Sequence, residues 1–266
     1  MFEQVLHFLG YALILMVLIF SFVYIIHLPL KNAGIVDVAW GASIALLGIL
    51  FYLIGERTTS SLVATIMVSI WGFRLTYHLL MRNIIDHKEE DGRYQILRKE
   101  WAKNLQLKFY LFFNAQGLLN VVLSIPFLFV AINPENEFGF FEITGVIIWI
   151  IAIVGESVAD SQLKAFKKNP ANKGKVCDTG LWNYSRHPNY FFEWLNWIAY
   201  FVFACGSPYG WVAIICPALM LHFLLRVTGI PLTEEQSIKS KGDAYREYQE
   251  TTSAFVPWKK KEIRNQ

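Results

Sequence analysis

The chain has 266 residues, of which 55% are hydrophobic, 16% aromatic and only 17% charged, with a mean hydropathy of +0.37. Soluble domains carry about 25% charged residues, so this composition excludes a disordered chain, a collagen, a disulfide-stapled secreted module and most soluble enzymes, and fits a protein that crosses a membrane several times. The net charge of +3 gives no reason to expect a nucleic-acid partner, and Cys177, Cys205 and Cys216 are odd in number and lack metal-ligand spacing, so neither a disulfide framework nor a metal site is expected.

A membrane helix needs about 20 mostly apolar residues to cross roughly 30 Å of hydrocarbon. Seven stretches qualify, at 5–28, 34–54, 60–81, 105–132, 142–164, 189–206 and 208–230. The first begins beside Met1 without a basic lead, so a retained helix is expected rather than a cleaved signal peptide. The sixth is short and would need to tilt or to begin as a re-entrant segment. The loop at 82–104 carries Arg82, Lys88, Arg93, Arg98, Lys99 and Lys103. The loop at 164–188 carries Lys164, Lys167, Lys168, Lys173, Lys175 and Arg186, and seven cations follow Pro231. With seven spans all of these, and Lys31, fall on one side, while Arg57 falls on the other. Cations in short loops mark the cytoplasmic face. The N-terminus is therefore expected outside and the C-terminus in the cytoplasm, with a bacterial inner membrane as the setting. No internal repeat occurs and the polar segments are too short to fold alone, so residues 1–266 are expected to form a single all-α domain.

Ionisable residues inside spans are costly and are functional candidates by default. Here they are Asp37, Arg74, His78, Glu156, Asp160, Glu193, His222 and Arg226, with Asn114, Gln116 and Asn120 on the fourth span. Nearly all lie in the cytoplasmic halves, and the outer halves are aliphatic or aromatic. Arg74 and His78, Glu156 and Asp160, and His222 and Arg226 are each four residues apart, so each pair shares a helix face. The pattern predicts a polar cavity open to the cytoplasm, suited to a charged soluble cofactor that meets a lipid-soluble substrate, with no obligate protein partner. Salt bridges within an inert bundle are the plainer alternative. Snorkelling explains Arg82 and Lys164, and a helix N-terminal role explains Asp37 and Glu193.

The densest polar run is Gly180-Leu181-Trp182-Asn183-Tyr184-Ser185-Arg186-His187-Pro188-Asn189-Tyr190-Phe191-Phe192-Glu193. Pro188 suits the first turn of a helix, so a loop should deliver Arg186 and His187 to the mouth of the sixth span. Asn189 and Glu193 then share one face. This run resembles the C-terminal signature of the steroid 5-alpha-reductase superfamily, in its bacterial DUF1295 branch, and the Arg-His-Pro-Asn-Tyr core is similar to that of the sterol reductases. Glu156 and Asp160 followed by Lys164 and Lys167 resemble an upstream family segment. Glu234-Glu235, Lys241-Gly242, Tyr245, Tyr248 and Pro257-Trp258 resemble the family tail. Asp37-Val38-Ala39-Trp40-Gly41 and Trp71-Gly72-Phe73-Arg74 are similar to elements of the bacterial branch.

The resemblance implies NADPH-dependent reduction of an activated C=C, such as an enone in a steroid-like or other lipid. It implies cofactor contacts from Asp160, Lys164, Lys167, Arg186, His187, Asn189, Tyr190, Glu193, Arg226, Glu234 and Glu235, with Arg186 and the lysines on phosphates. Conjugate addition puts negative charge on the substrate carbonyl oxygen, so a proton donor is needed there. Animal steroid reductases carry a Gln-Glu pair and a following Tyr for this; the pair is absent here. Asp37, with Arg74 or His78, is the expected substitute, and Trp40, Asn114 and Glu156 are assigned to the substrate. Isoprenylcysteine carboxyl methyltransferases and phospholipid N-methyltransferases carry a similar Arg-His-Pro-x-Tyr run with a later Glu-Glu. An S-adenosylmethionine-dependent lipid methyltransferase is therefore the alternative.

Overall fold

The computed structural model describes residues 1–85, 89–135 and 138–261, so Lys88 and Arg264, two of the loop and tail cations, lie outside the described residues. Among the described residues every regular element is helical. In chain order the α-helices are α1 (Phe2–Leu30), α2 (Ile35–Ile54), α3 (Thr59–Leu80), α4 (Gly92–Glu100), α5 (Leu105–Leu123), α6 (Ile125–Ala131), α7 (Phe140–Lys168), α8 (Pro188–Ala204), α9 (Ile215–His222), α10 (Ile230–Lys241) and α11 (Asp243–Thr251).

Among the described residues, five helical stretches are long and apolar enough to cross a membrane: Phe2–Leu30, Ile35–Ile54, Thr59–Ile85, Phe140–Lys168 and Gly210–Lys241. A sixth is formed if α5 and α6 count as one span, bent by 44° at their junction. The bend has a covalent cause. Pro126 stands at the start of α6, where its missing N–H and its ring break the hydrogen-bond ladder of α5. The expected span at 189–206 is α8, which has 17 residues.

The chain forms two compact units, one of Met1–Glu142 with Phe203–Val212, the other of Ile143–Val202 with Ala213–Gln266. In the first, α2 and α3 touch backbone to backbone through glycines. A Cβ on Gly72 would come 2.6 Å from the carbonyl oxygen of Gly41, and one on Gly48 would meet Val68 at 2.5 Å. Small residues at such crossings let membrane helices pack without a water-driven force. Gly117 does the same for α5 against Phe20 of α1. Phe20, Phe51, Trp71, Phe109 and Phe113 fill the interior.

The segment at 82–104 is more than the connector the sequence suggested. A π-helical turn, Met81–Ile85, extends α3, and α4 follows with Asp91 as its N-cap, accepting the Arg93 N–H at 2.9 Å. Arg98 and Lys99 sit in its last turn, as the helix dipole favours. Glu90 anchors the segment: it accepts the Ala33 N–H at 2.6 Å and both arms of Arg98 at 2.6 and 2.9 Å.

In the second unit α7 and α8 pack through Gly155, over which the Phe192 ring lies too closely to leave space for a Cβ. Trp197 and Tyr200 are buried beneath, and Trp182 donates its indole N–H to the Ala159 carbonyl at 2.9 Å. The tail, α10, α11 and the irregular strap after it, folds back on the 184–187 loop. Arg186 N–H bonds Ser253 O at 2.8 Å, Trp258 N–H bonds Tyr184 O at 2.8 Å, and Ser185 Oγ donates to Phe255 O at 2.8 Å.

Candidate functional site

Two polar clusters stand out, one in each unit. The first centres on Asp37, in the first turn of α2. Tyr94 donates its hydroxyl to Asp37 Oδ1 at 2.7 Å, Arg93 donates to Oδ2 at 3.1 Å, and Asn83 reaches the same oxygen at 3.4 Å. Arg93 also binds Asp91 through Nε at 3.1 Å, so its fork spans two carboxylates. The π turn of 81–85 carries Asn83 into this group, in keeping with the habit of such turns to mark functional sites.

Tyr94 is 3% exposed. Burial, and then the neighbouring Asp37 charge, raise its phenol well above the usual tyrosine range, so it stays protonated at neutral pH. Arg93 is charged throughout: burial works against the charge, and Asp37, Tyr94 and Asp91 together outweigh it and raise the pKa above the ordinary arginine value. The cluster thus holds a protonated phenol whose one hydrogen lies on a carboxylate, and the phenol becomes a proton donor to another oxygen when that hydrogen bond is exchanged for one to the new acceptor.

Of the three residues expected to act here, Asp37 is in the cluster. Arg74 and His78 lie one turn apart on α3, Arg74 half-buried and His78 exposed. Tyr94, Arg93 and Asn83 were not singled out from the sequence. Trp40 packs edge-on to Trp71 with ring centres 6.0 Å apart, and Asn120 donates to Trp40 O and to Ser43 Oγ at 3.1 and 2.7 Å. Asn114 donates its amide to Tyr110 O at 2.9 Å, within its own helix.

The second cluster centres on Glu234 of α10. Its Oε1 accepts Arg186 Nε at 2.7 Å and lies 3.1 Å from His187 Nε2; its Oε2 accepts Gln249 Nε2 at 2.7 Å. Arg186 Nη1 donates to the carbonyls of Gln249, at 2.9 Å, and Thr252. Burial lowers the His187 pKa below its usual 6.5, against the pull of Glu234, so the imidazole is neutral at neutral pH. The His187 ring stacks on Tyr190 at 5.3 Å, and Tyr190 Oη bonds Thr233 Oγ1 at 3.0 Å.

Arg186 was expected on a phosphate. Its guanidinium is turned inward, 10% exposed, and its donors are occupied by Glu234 and the tail carbonyls. Glu234 and Glu235, adjacent in sequence, part company: Glu235 is exposed and pairs with Lys239 at 2.6 Å. Asn189 donates to Asp160 Oδ1 at 3.3 Å, joining α8 to α7, while its own Oδ1 is buried without a hydrogen-bond partner. Glu193 accepts from Trp197 at 3.1 Å one turn along the same helix. Glu156 is 6% exposed inside α7. Lys164 and Lys167 stand exposed at the end of α7, and Arg226 is exposed in the π turn Phe223–Val227.

The family described as "Protein of unknown function (DUF1295)" matches residues 23–252. An uncharacterised protein of Schizosaccharomyces pombe, C594.04c, is 26% identical over 255 residues, which cover 85% of this chain and 73% of that protein. A probable O-methyltransferase of Ustilaginoidea virens, ustE, is 51% identical over 47 residues, 18% of this chain and 16% of its own. No solved structure matches.

Proposed function

The chain belongs to the DUF1295 family, of the steroid 5-alpha-reductase superfamily, and from that membership we propose that it is an integral-membrane, NADPH-dependent reductase of an activated C=C in a steroid-like or other lipid. The observation that carries the chemistry is the 2.7 Å hydrogen bond between Tyr94 and Asp37. Reduction of an enone needs a proton donor at the carbonyl oxygen. Tyr94 is held protonated in a buried place beside the Arg93-held carboxylate of Asp37; its O–H turns from Asp37 to the substrate oxygen as negative charge develops there, while Asp37 stays paired with Arg93. This pair fills the need that the missing Gln-Glu pair left open.

The residues of the second unit fit a dinucleotide. The buried Oδ1 of Asn189 is an acceptor in search of a donor, which a carboxamide N–H or a ribose hydroxyl supplies. Lys164 and Lys167 are exposed cations for phosphates. NADPH, when bound, supplies the hydride. Arg186, His187 and Glu234 act one layer back: they fix the loop that leads into Asn189 and Tyr190. In this reading α8 is the sixth span in chain order and brings the total to seven, since 17 residues rise about 26 Å, close to the hydrocarbon thickness. The cation-rich loops face the cytoplasm of a bacterial cell, the source of the cofactor.

The resemblance of 47 residues to a probable O-methyltransferase favours a second reading, methyl transfer to a lipid from S-adenosylmethionine. The test is turnover by the purified protein. NADPH oxidation that depends on an added lipid enone and yields the saturated ketone supports the reductase. Methylated lipid formed from S-adenosylmethionine, with no NADPH consumed, overturns it.

A further inference from the structure

The strap of residues 252–261 ties down Arg186, and its remaining features have no part in that task. Phe255 buries its ring with Leu224 and Ile230, 5.7 Å from Phe191 and 5.8 Å from Trp194 on the first two turns of α8. This plug sets the depth of the strap. It packs on the first two turns of α8, and with α8 crossing the membrane, as proposed above, that is the level where hydrocarbon gives way to headgroups. Val256 and Trp258 beside it are 50% and 72% exposed, and tryptophan favours that layer because its ring is apolar at one end and a donor at the other.

The strap closes on itself through Lys261 N–H to Thr251 O at 2.8 Å. A cavity of about 380 Å³ lies alongside, walled by Arg186, Val256, Trp258, Lys259 and Lys261, with one carboxylate, Glu250, among its lining residues. The three consecutive lysines divide. Lys260 turns back to Asp178 at 3.1 Å and lies over the Tyr248 ring, whereas Lys259 and Lys261 line the cavity.

We propose that this cavity holds the phosphate headgroup of an anionic membrane lipid. Lys259 and Lys261 pair with the phosphate, and Val256 and Trp258 rest against the glycerol and the first methylenes. The exposed apolar lip favours a lipid over a soluble anion, since a free phosphate would leave it in water. The inference uses the membrane crossing of α8 but not the reductase chemistry, so either can fail alone.

The test is titration of the purified full chain with phosphatidylglycerol and with phosphatidylcholine, read by native mass spectrometry. The wild-type chain retains phosphatidylglycerol in preference. A cation near a charged leaflet contributes a factor of about five, so K259Q/K261Q weakens phosphatidylglycerol binding roughly thirtyfold. K259R/K261R and K260Q keep it. Equal retention of the two lipids, or undiminished binding in a folded K259Q/K261Q chain, overturns the proposal. So does displacement of the lipid by inorganic phosphate at matching concentration, which assigns the cavity to a soluble anion.

Discussion

Tyr94 and Asp37, 57 residues apart in the chain, share a hydrogen bond of 2.7 Å. A short amphipathic helix outside the apolar spans thereby places a buried phenol on the first intramembrane carboxylate of the sequence. Arg93, the residue before Tyr94, holds the other oxygen of the same carboxylate at 3.1 Å.

Tyr94→Phe keeps the ring and removes the hydroxyl. If the phenol delivers the proton, turnover of the enone falls by about 10²–10⁴, the usual worth of a positioned acid. NADPH binding, read as a shift in melting temperature, stays as it was. Asp37→Asn falls by a similar factor, and the double variant is little worse than either, because the two groups act as a unit. Turnover unchanged in Tyr94→Phe removes the pair from the chemistry.

Arg186→Ala leaves the buried carboxylate of Glu234 without its guanidinium and two tail carbonyls without a donor. Breaking one side of such a pair costs roughly 3 kcal/mol, so the melting temperature should drop markedly. Arg186→Lys restores little, since an ammonium cannot span Glu234 and the carbonyls of Gln249 and Thr252 together. Were Arg186 a phosphate ligand instead, the Ala variant would lose NADPH affinity with its melting temperature intact.

His187 is buried and its pKa lies below the ordinary 6.5. The unfolded chain therefore takes up a proton before the folded one does, and stability falls as the pH drops below about 6.5. The loss levels off only below the folded-state value. Melting temperature measured against pH should show this acid limb, and His187→Gln should flatten it.

Gly72→Val tests the α2–α3 crossing. Any Cβ at Gly72 meets the Gly41 carbonyl at 2.6 Å, so both backbones must part. Overpacking of this kind costs about 1–3 kcal/mol. Gly92→Ala is the contrast: nothing lies within 4 Å of a Cβ there, and the change should leave the melting temperature level or raise it slightly.

Much of the fold was legible because lipid imposes long apolar runs. The first three spans are seen within a few residues in α1, α2 and α3. Asp37 was legible for a related reason, since an ionisable group in an apolar run declares itself. Tyr94 was not, because its partner lies on another helix and helical periodicity reports only neighbours on one. The signal available was the Asp91 cap followed by a helical pattern in an otherwise charged loop. The contacts of Arg186 were hidden for a similar reason: its partners Glu234 and Thr252 lie in the tail, some 50–65 residues further on.

The measurement that bears most directly on the account is the melting temperature of the purified chain titrated with NADPH and, separately, with S-adenosylmethionine. A ligand that binds only the folded state must raise it, by about 2.7 kcal/mol of stability at a hundred times its dissociation constant. The account predicts a saturable rise with NADPH and none with S-adenosylmethionine. A rise with S-adenosylmethionine and none with NADPH contradicts it.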